Sequence, residues 1–243
     1  MTRHVLLNNV DHKDLKVITR FSPEFGDDVN AVPTFPTEFG DIQREYPILF
    51  RQDRESGAFQ SVALLGFENG ENLFLENDRW NAGYVPGIIA RGPFLIGFQQ
   101  QEIDGELRRE PVIHVDMDDP RVNEIEGEPV FLEHGGNTPY LQYVANILRG
   151  IQEGMGLSAA MFSALQACDV IEPVNIDVDV YRDVRVRLKG FYTVSRERLA
   201  RLGGAALQEL NAAGFLEGAF LVLASLNNVP KLIEMKNRRL PAQ

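Results

Sequence analysis

An α+β fold follows from three observations on the sequence. Short runs of alternating apolar and polar residues crowd the first half, runs of helical period crowd the second, and one strand pair with matched faces lies among the helices. With 243 residues, 44% hydrophobic and 24% charged, the chain has the balance of an ordinary globular protein. It reads as a single domain over 1–243, with a β-rich part at 1–137 and a helix-rich part at 138–243.

Residues Ser22 to Tyr46 carry Pro23, Pro33 and Pro36, and fixed backbone angles at that density predict an extended, loop-rich segment. Beyond it, Pro47 to Arg51, Gln60 to Phe67, Asn72 to Glu76, Pro93 to Gln99 and Pro111 to Met117 read as short strands punctuated by glycine, asparagine or aspartate. Glu68-Asn69-Gly70 is a turn signal, because Asn and Gly tolerate positive φ. The period changes at Thr138-Pro139, a cap followed by a first-turn proline. Tyr140, Val144, Ile147, Leu148 and Ile151 then recur at helical spacing. Gly154 and Gly156 are expected to end that helix. Ser158 is expected to open another through Met161, Leu165 and Cys168, stopping before Pro173. Ser195 is expected to cap one helix with an apolar stripe of Leu199, Leu202, Ala206, Leu210 and Ala213, stopped by Gly214. The run from Phe215 to Leu226 reads as a buried helix, too short and too interrupted to span a bilayer.

The hairpin at about 174–189 has the most tightly specified geometry. Val174, Ile176, Val178 and Val180 alternate with Asn175, Asp177 and Asp179, while Val184, Val186 and Leu188 alternate with Arg185, Arg187 and Lys189. Opposed residues in a hairpin have a constant number sum, and only an even sum sets valine against valine and aspartate against arginine. A three-residue loop, Tyr181 to Asp183, supplies it: Val180 faces Val184, Val178 faces Val186, Asp179 faces Arg185 and Asp177 faces Arg187.

The formal charge is −11, and from Gln99 to Asn137 eleven acidic residues stand against three basic ones. Such a surface disfavours nucleic acid and anionic membranes as partners. The opening residues, MTRHVLLNNVDH, offer only Val5, Leu6 and Leu7 as an apolar run, which leads us to expect a cytoplasmic protein or one exported by a non-classical route. The single cysteine, Cys168, excludes an internal disulfide.

His114-Val115-Asp116 with His134 downstream supplies the ligand types of a non-haem iron oxygenase, the metal candidate being His114, Asp116 and His134. Strand alternation offers another account, a solvated face carrying His114 and Asp116 opposite Ile113 and Val115. Asp116, Asp118 and Asp119 suggest calcium, yet the loop lacks glycine at its sixth position and has Gly127 where an EF-hand has glutamate, which excludes an EF-hand and leaves a looser calcium site in the acidic region 99–137 beside a solvated acidic surface as the two readings. Phosphate-cradling loops, a nucleophile elbow and a zinc cluster are absent from the sequence, so no cofactor is expected. What remains is a set suited to stacking and bidentate hydrogen bonds around the only tryptophan: Asn72, Arg79, Trp80, Tyr84, Pro86 and Arg91. The competing account is that Trp80 and Tyr84 plug the core.

The segments VALLGFENGENLF, DRW and GYVPGIIARGPF resemble the signature of the SapC family, and LKGFYTVSRERLARL and LNAAGFLEGAFLVLASLNNVPKL resemble its later elements, so that roughly Val29 to Leu232 is covered. Departures are Phe191 for leucine, Ser195-Arg196 for Asp-Glu, and Gly92 for a bulkier residue before Pro93. The resemblance implies a single unit with an accessory role at a bacterial surface layer or in outer-membrane uptake. The expected function is a non-catalytic accessory or binding protein engaging a protein or peptide through Asn72, Arg79, Trp80, Tyr84, Pro86 and Arg91. A metal-dependent, oxygenase-like enzyme and a structural surface-layer component are the two other readings.

Overall fold

The computed structural model describes residues 3–103, 106–180 and 184–239. In chain order the strands are β1 (His4–Leu6), β2 (Lys16–Val17), β3 (Ala31–Pro33), β4 (Ile48–Gln52), β5 (Phe59–Leu64), β6 (Leu75–Glu76), β7 (Arg79–Trp80), β8 (Phe94–Ile103), β9 (Glu106–Asp116), β10 (Val122–Asn123), β11 (Glu128–Pro129), β12 (Ile171–Val180) and β13 (Val184–Val194). The helices are α1 (Phe39–Ile42), α2 (Gly87–Ala90), α3 (Pro139–Ala167), α4 (Arg196–Ala200), α5 (Gly204–Ala212), α6 (Phe215–Ser225) and α7 (Val229–Arg239). The mixed α+β class holds, with most strands in the first half and most helices in the second.

The chain folds into two units that interleave in sequence: residues 1–27 with 87–152, and residues 28–86 with 153–243. In the first unit, β8 and β9 form a long antiparallel ladder with β1 on its far edge, and β2 is flanked by β10 and β11. Leu15, Val17, Phe94, Val115, Val130, Leu141, Val144 and Leu148 form its core. Val115 is fully buried, as the alternation around it predicts. His114 points to the other face, where its imidazole lies over Gly97, so close that a Cβ there would sit 2.0 Å from Nδ1. The ring is therefore only part-solvated, and Nδ1 is buried without a hydrogen-bond partner among the described residues.

In the second unit the sheet order is β12-β13-β4-β5-β3. Its core draws on Phe39, Ile42, Tyr46, Ile48, Phe50, Leu64, Met161 and Leu165, among others. The register of the 171–194 hairpin matches expectation at Asp177↔Arg187, Val178↔Val186, Asp179↔Arg185 and Val180↔Val184. The expected three-residue loop, Tyr181 to Asp183, lies outside the described residues. The ladder continues past that run through a bulge: the pairing shifts between Val174 and Ile176, opposite Gly190, whose φ of 81° suits a bulge glycine.

Three sequence expectations need correction. α3 starts where predicted, with Thr138 Oγ1 accepting from Leu141 N at 3.2 Å, but it runs unbroken through Gly154 and Gly156 to Ala167. Gly154 is a packing glycine, since a Cβ there would lie 2.4 Å from the Phe35 Cβ. Ser158, not a cap, donates from Oγ to the Gly154 carbonyl at 2.8 Å. The helix expected from Ser195 to Gly214 breaks in two at Leu202-Gly203, where consecutive glycines lower helix propensity. Ser195 does cap the first piece, and Gly214, at φ 75°, stands before α6. The strand expected over Asn72 to Glu76 shrinks to Leu75–Glu76, because Asn72, Leu73 and Phe74 are sealed into the interior.

Candidate functional site

Asn72, Arg79, Trp80, Tyr84 and Pro86 all fall in the second unit, along one stretch of chain built around the β6–β7 hairpin. Its loop is Asn77-Asp78, with φ of 50° and 59°. Both angles have the sign that a two-residue type I′ loop demands, and Asn and Asp are the non-glycine residues that best tolerate it. The cross-strand pairs are Leu75↔Trp80 and Glu76↔Arg79.

The base of the hairpin is fastened on several sides. Asn72 is buried, and its Oδ1 accepts from Phe74 N at 3.0 Å. Arg239, at the end of α7, donates to the carbonyls of Asn72, Leu73 and Leu75 at 2.9, 2.7 and 2.7 Å. The Trp80 indole stacks parallel to Phe74 with centroids 6.5 Å apart, and its Nε1 donates to the Tyr46 hydroxyl at 2.7 Å. That hydroxyl donates in turn to the Tyr84 carbonyl. Burial raises the Tyr46 phenol's pKa well above its ordinary value; the hydrogen bond from Trp80 opposes the rise and the charge of Glu45 adds to it.

The Tyr84 hydroxyl donates to Glu38 Oε2 at 2.8 Å, and Glu38 Oε1 accepts from Thr34 Oγ1 at 2.7 Å. Glu45 Oε1 accepts from Gly83 N at 2.6 Å while its other oxygen meets Lys231 Nζ at 3.0 Å. Burial pushes the Glu45 carboxyl up, but these bonds outweigh it and its pKa is lowered. Pro86 is buried. Arg79 alone of the five is exposed. Trp80 and Tyr84 thus serve as braces, and Arg79 stands at the tip they hold.

Arg91, the sixth expected residue, belongs to the first unit. Its NH1 donates to the Phe94 carbonyl at 2.6 Å, and burial lowers its pKa, with Asp119 opposing and Arg121 adding to the shift. The metal candidates also lie there. His4 Nε2 is 3.7 Å from Asp116 Oδ2. Asp116 Oδ1 accepts from Asp118 N, Asp118 Oδ2 from Arg3 N, and Asp119 meets Arg121. His134 is exposed on the 132–136 turn. Among the described residues no group of three His, Cys, Asp or Glu side chains stands close enough to hold a metal, so His114, Asp116 and His134 do not form the iron triad considered from the sequence. No single described helix is long and apolar enough to cross a membrane.

Sequence reasoning did not find Tyr46, Glu38, Glu45 or Arg239. Each meets the 72–86 stretch from a distant part of the chain, Glu38 and Glu45 at Tyr84 and Gly83, and local patterning carries no trace of that. The Asn77-Asp78 loop was findable, as a pair of αL-tolerant residues between Leu-Glu and Arg-Trp.

These features define a mixed α+β protein with a braced, arginine-bearing hairpin. The SapC family model matches residues 7–232, and the chain belongs to the SapC family. No curated protein and no solved structure matches it.

Proposed function

We propose that the chain is a non-catalytic accessory protein that engages a protein or peptide partner through the β6–β7 hairpin, in the surface-layer or outer-membrane-uptake setting that the family resemblance implies. One observation carries the reading. Two adjacent non-glycine residues, Asn77 and Asp78, hold positive φ at the tip of a hairpin tied down by Tyr46, Phe74 and Arg239, with the Arg79 guanidinium exposed beside them. A two-residue loop of this type has a fixed shape, and the ties beneath it hold that shape in one place. A rigid display of one arginine suits capture of carboxylate or carbonyl groups on a partner, because little side-chain and loop entropy is lost on binding. In this reading Asn72, Trp80, Tyr84 and Pro86 position the tip, and Arg91 acts separately.

The test begins with a photo-crosslinking residue in place of Glu76, exposed and directly across the hairpin from Arg79, introduced in the producing cells to identify the captured partner. Calorimetry with that purified partner then compares the parent with Arg79→Ala. The expected result is affinity lower by about tenfold or more, the loss typical of a central arginine contact, with Trp80 fluorescence unchanged. Equal affinity of the two proteins, or no adduct at position 76, overturns the proposal.

A further inference from the structure

The first unit carries a second surface with a different chemistry. A concavity of about 980 Å³ is bordered by Val10, Lys13, Lys16, Phe131, Leu132 and His134, and by the carboxylates of Glu124 and Glu133. Two aliphatic side chains that line it stand out, Val10 at 76% exposed and Leu132 at 53%, and Ile125, which follows the lining residue Glu124 and whose carbonyl accepts from the lining Lys16 Nζ at 3.1 Å, is 87% exposed. Large apolar side chains grouped in this way at a polar rim mark interaction surfaces more often than isolated ones do.

They cannot readily fold inward, since the backbone that carries each is fixed. Asn8 Oδ1 accepts from Val10 N and Asp11 N at 3.0 and 2.8 Å, and Asn123 Oδ1 accepts from Ile125 N and Glu126 N at 2.8 Å each. Leu132 sits in a tight turn, its N bonded to the Gly136 carbonyl at 2.7 Å and its own carbonyl accepting from Gly135 N at 2.8 Å. Asn9 Nδ2 ties that turn to the 8–11 segment through the Gly135 carbonyl at 2.8 Å.

Charge selects the partner. Glu124, Glu126, Glu128 and Glu133 are all exposed, and none forms an ion pair among the described residues. Two nearby lysines offset part of this charge, Lys13 lying 3.8 Å from Asp14 and Lys16 donating to the Ile125 carbonyl at 3.1 Å, and the four glutamates outnumber them. Unpaired carboxylates around displayed aliphatics complement a segment that is both cationic and apolar, whereas carboxylates alone would select only charge. We infer that this face docks a basic segment of another protein that carries leucine-like side chains, independently of Arg79.

The probe is a short, end-capped peptide in which lysine and leucine alternate, titrated against the full chain by fluorescence anisotropy. Binding should weaken as salt is raised and fall about tenfold in Glu124→Gln/Glu133→Gln, and about tenfold in Ile125→Ser/Leu132→Ser. Glu209→Gln/Glu217→Gln makes the same change in net charge at exposed positions of the second unit and should bind as the parent does. Equal weakening in that control reduces the effect to overall charge and overturns the inference. So does undiminished binding by the Ile125/Leu132 variant. Because Arg79→Ala leaves this surface intact, failure here and failure of the hairpin proposal are separately visible.

Discussion

The Trp80 indole nitrogen donates to the Tyr46 hydroxyl at 2.7 Å, and through that hydroxyl it is linked to the Tyr84 carbonyl. Tyr46 is fully buried, so its oxygen is the junction that joins two ends of the 80–84 segment in a water-poor place. Tyr46→Phe keeps the ring and its tilted contact with Phe74, 4.5 Å between centroids, but leaves an indole N–H and a carbonyl without this partner. The expected loss of unfolding free energy is about 1–3 kcal/mol. Denaturant unfolding followed by the emission of the single tryptophan measures it; a loss below about 0.5 kcal/mol would show that the junction does not hold the segment.

The same burial makes a prediction at alkaline pH. Tyr46 and Tyr140 both have phenol pKa values raised by burial above the ordinary 10.0. With the folded-state value the higher one, the neutral form is favoured in the fold and the unfolded chain gives up these protons first. The contribution is whole below about pH 10 and is lost as the pH climbs from there towards the folded-state values. Stability measured across that window should fall, and it should fall less steeply in Tyr46→Phe. Parallel curves for parent and variant would remove Tyr46 from the account.

How much of this was legible beforehand depends on the range of the interactions. The β12–β13 register could be read because period-two valines and opposed aspartates and arginines all reward one pairing, and every term is local to one hairpin. The start of α3 at Thr138-Pro139 could be read for the same reason. Gly154 could not be read: within its own segment it resembles a stop, and only the nearness of Phe35, distant in sequence, makes it a packing contact. The candidate site divides likewise. Arg79 and Trp80 were picked out by residue type, but their different roles, one displayed and one bracing, are decided by Tyr46, Phe74 and Arg239. Residues that brace from afar leave no periodic mark.

Gly97 and His114 pack against one another across β8 and β9. A Cβ on Gly97 would overlap the imidazole at 2.0 Å from both Nδ1 and Cε1. Gly97→Ala should therefore cost about 1–3 kcal/mol, as overpacking does. In a His114→Ala background the space is open, so the same substitution should be nearly neutral. The double-mutant cycle should give a coupling of at least about 1 kcal/mol. Additive losses would mean that the glycine is required for its backbone and not for the ring above it.

Asp27 and Arg121 provide a contrast between buried and exposed charge. Asp27 Oδ1 lies 2.6 Å from Arg121 NH2, the two side chains being 2% and 11% exposed, and Asp27 Oδ2 accepts from Ser22 N at 2.9 Å. Arg121 also meets Asp119 at 3.2 Å and lies over the Phe25 ring, 5.0 Å from its centroid. Asp27→Asn keeps the shape but removes the nearer of the two carboxylates that compensate a largely buried guanidinium, the other being Asp119, and its amide must turn a donor towards either Arg121 or Ser22 N. Breaking a pair in that position should cost about 3 kcal/mol. The Arg238–Glu234 pair on α7 is as short, at 2.5 Å, but both side chains are more than 60% exposed. Arg238→Ala should cost no more than about 0.5 kcal/mol, because water and salt screen the pair whatever its length. Chemical denaturation of the two variants under one set of conditions decides the matter, and similar losses would show that desolvation is not what gives the Asp27–Arg121 pair its weight.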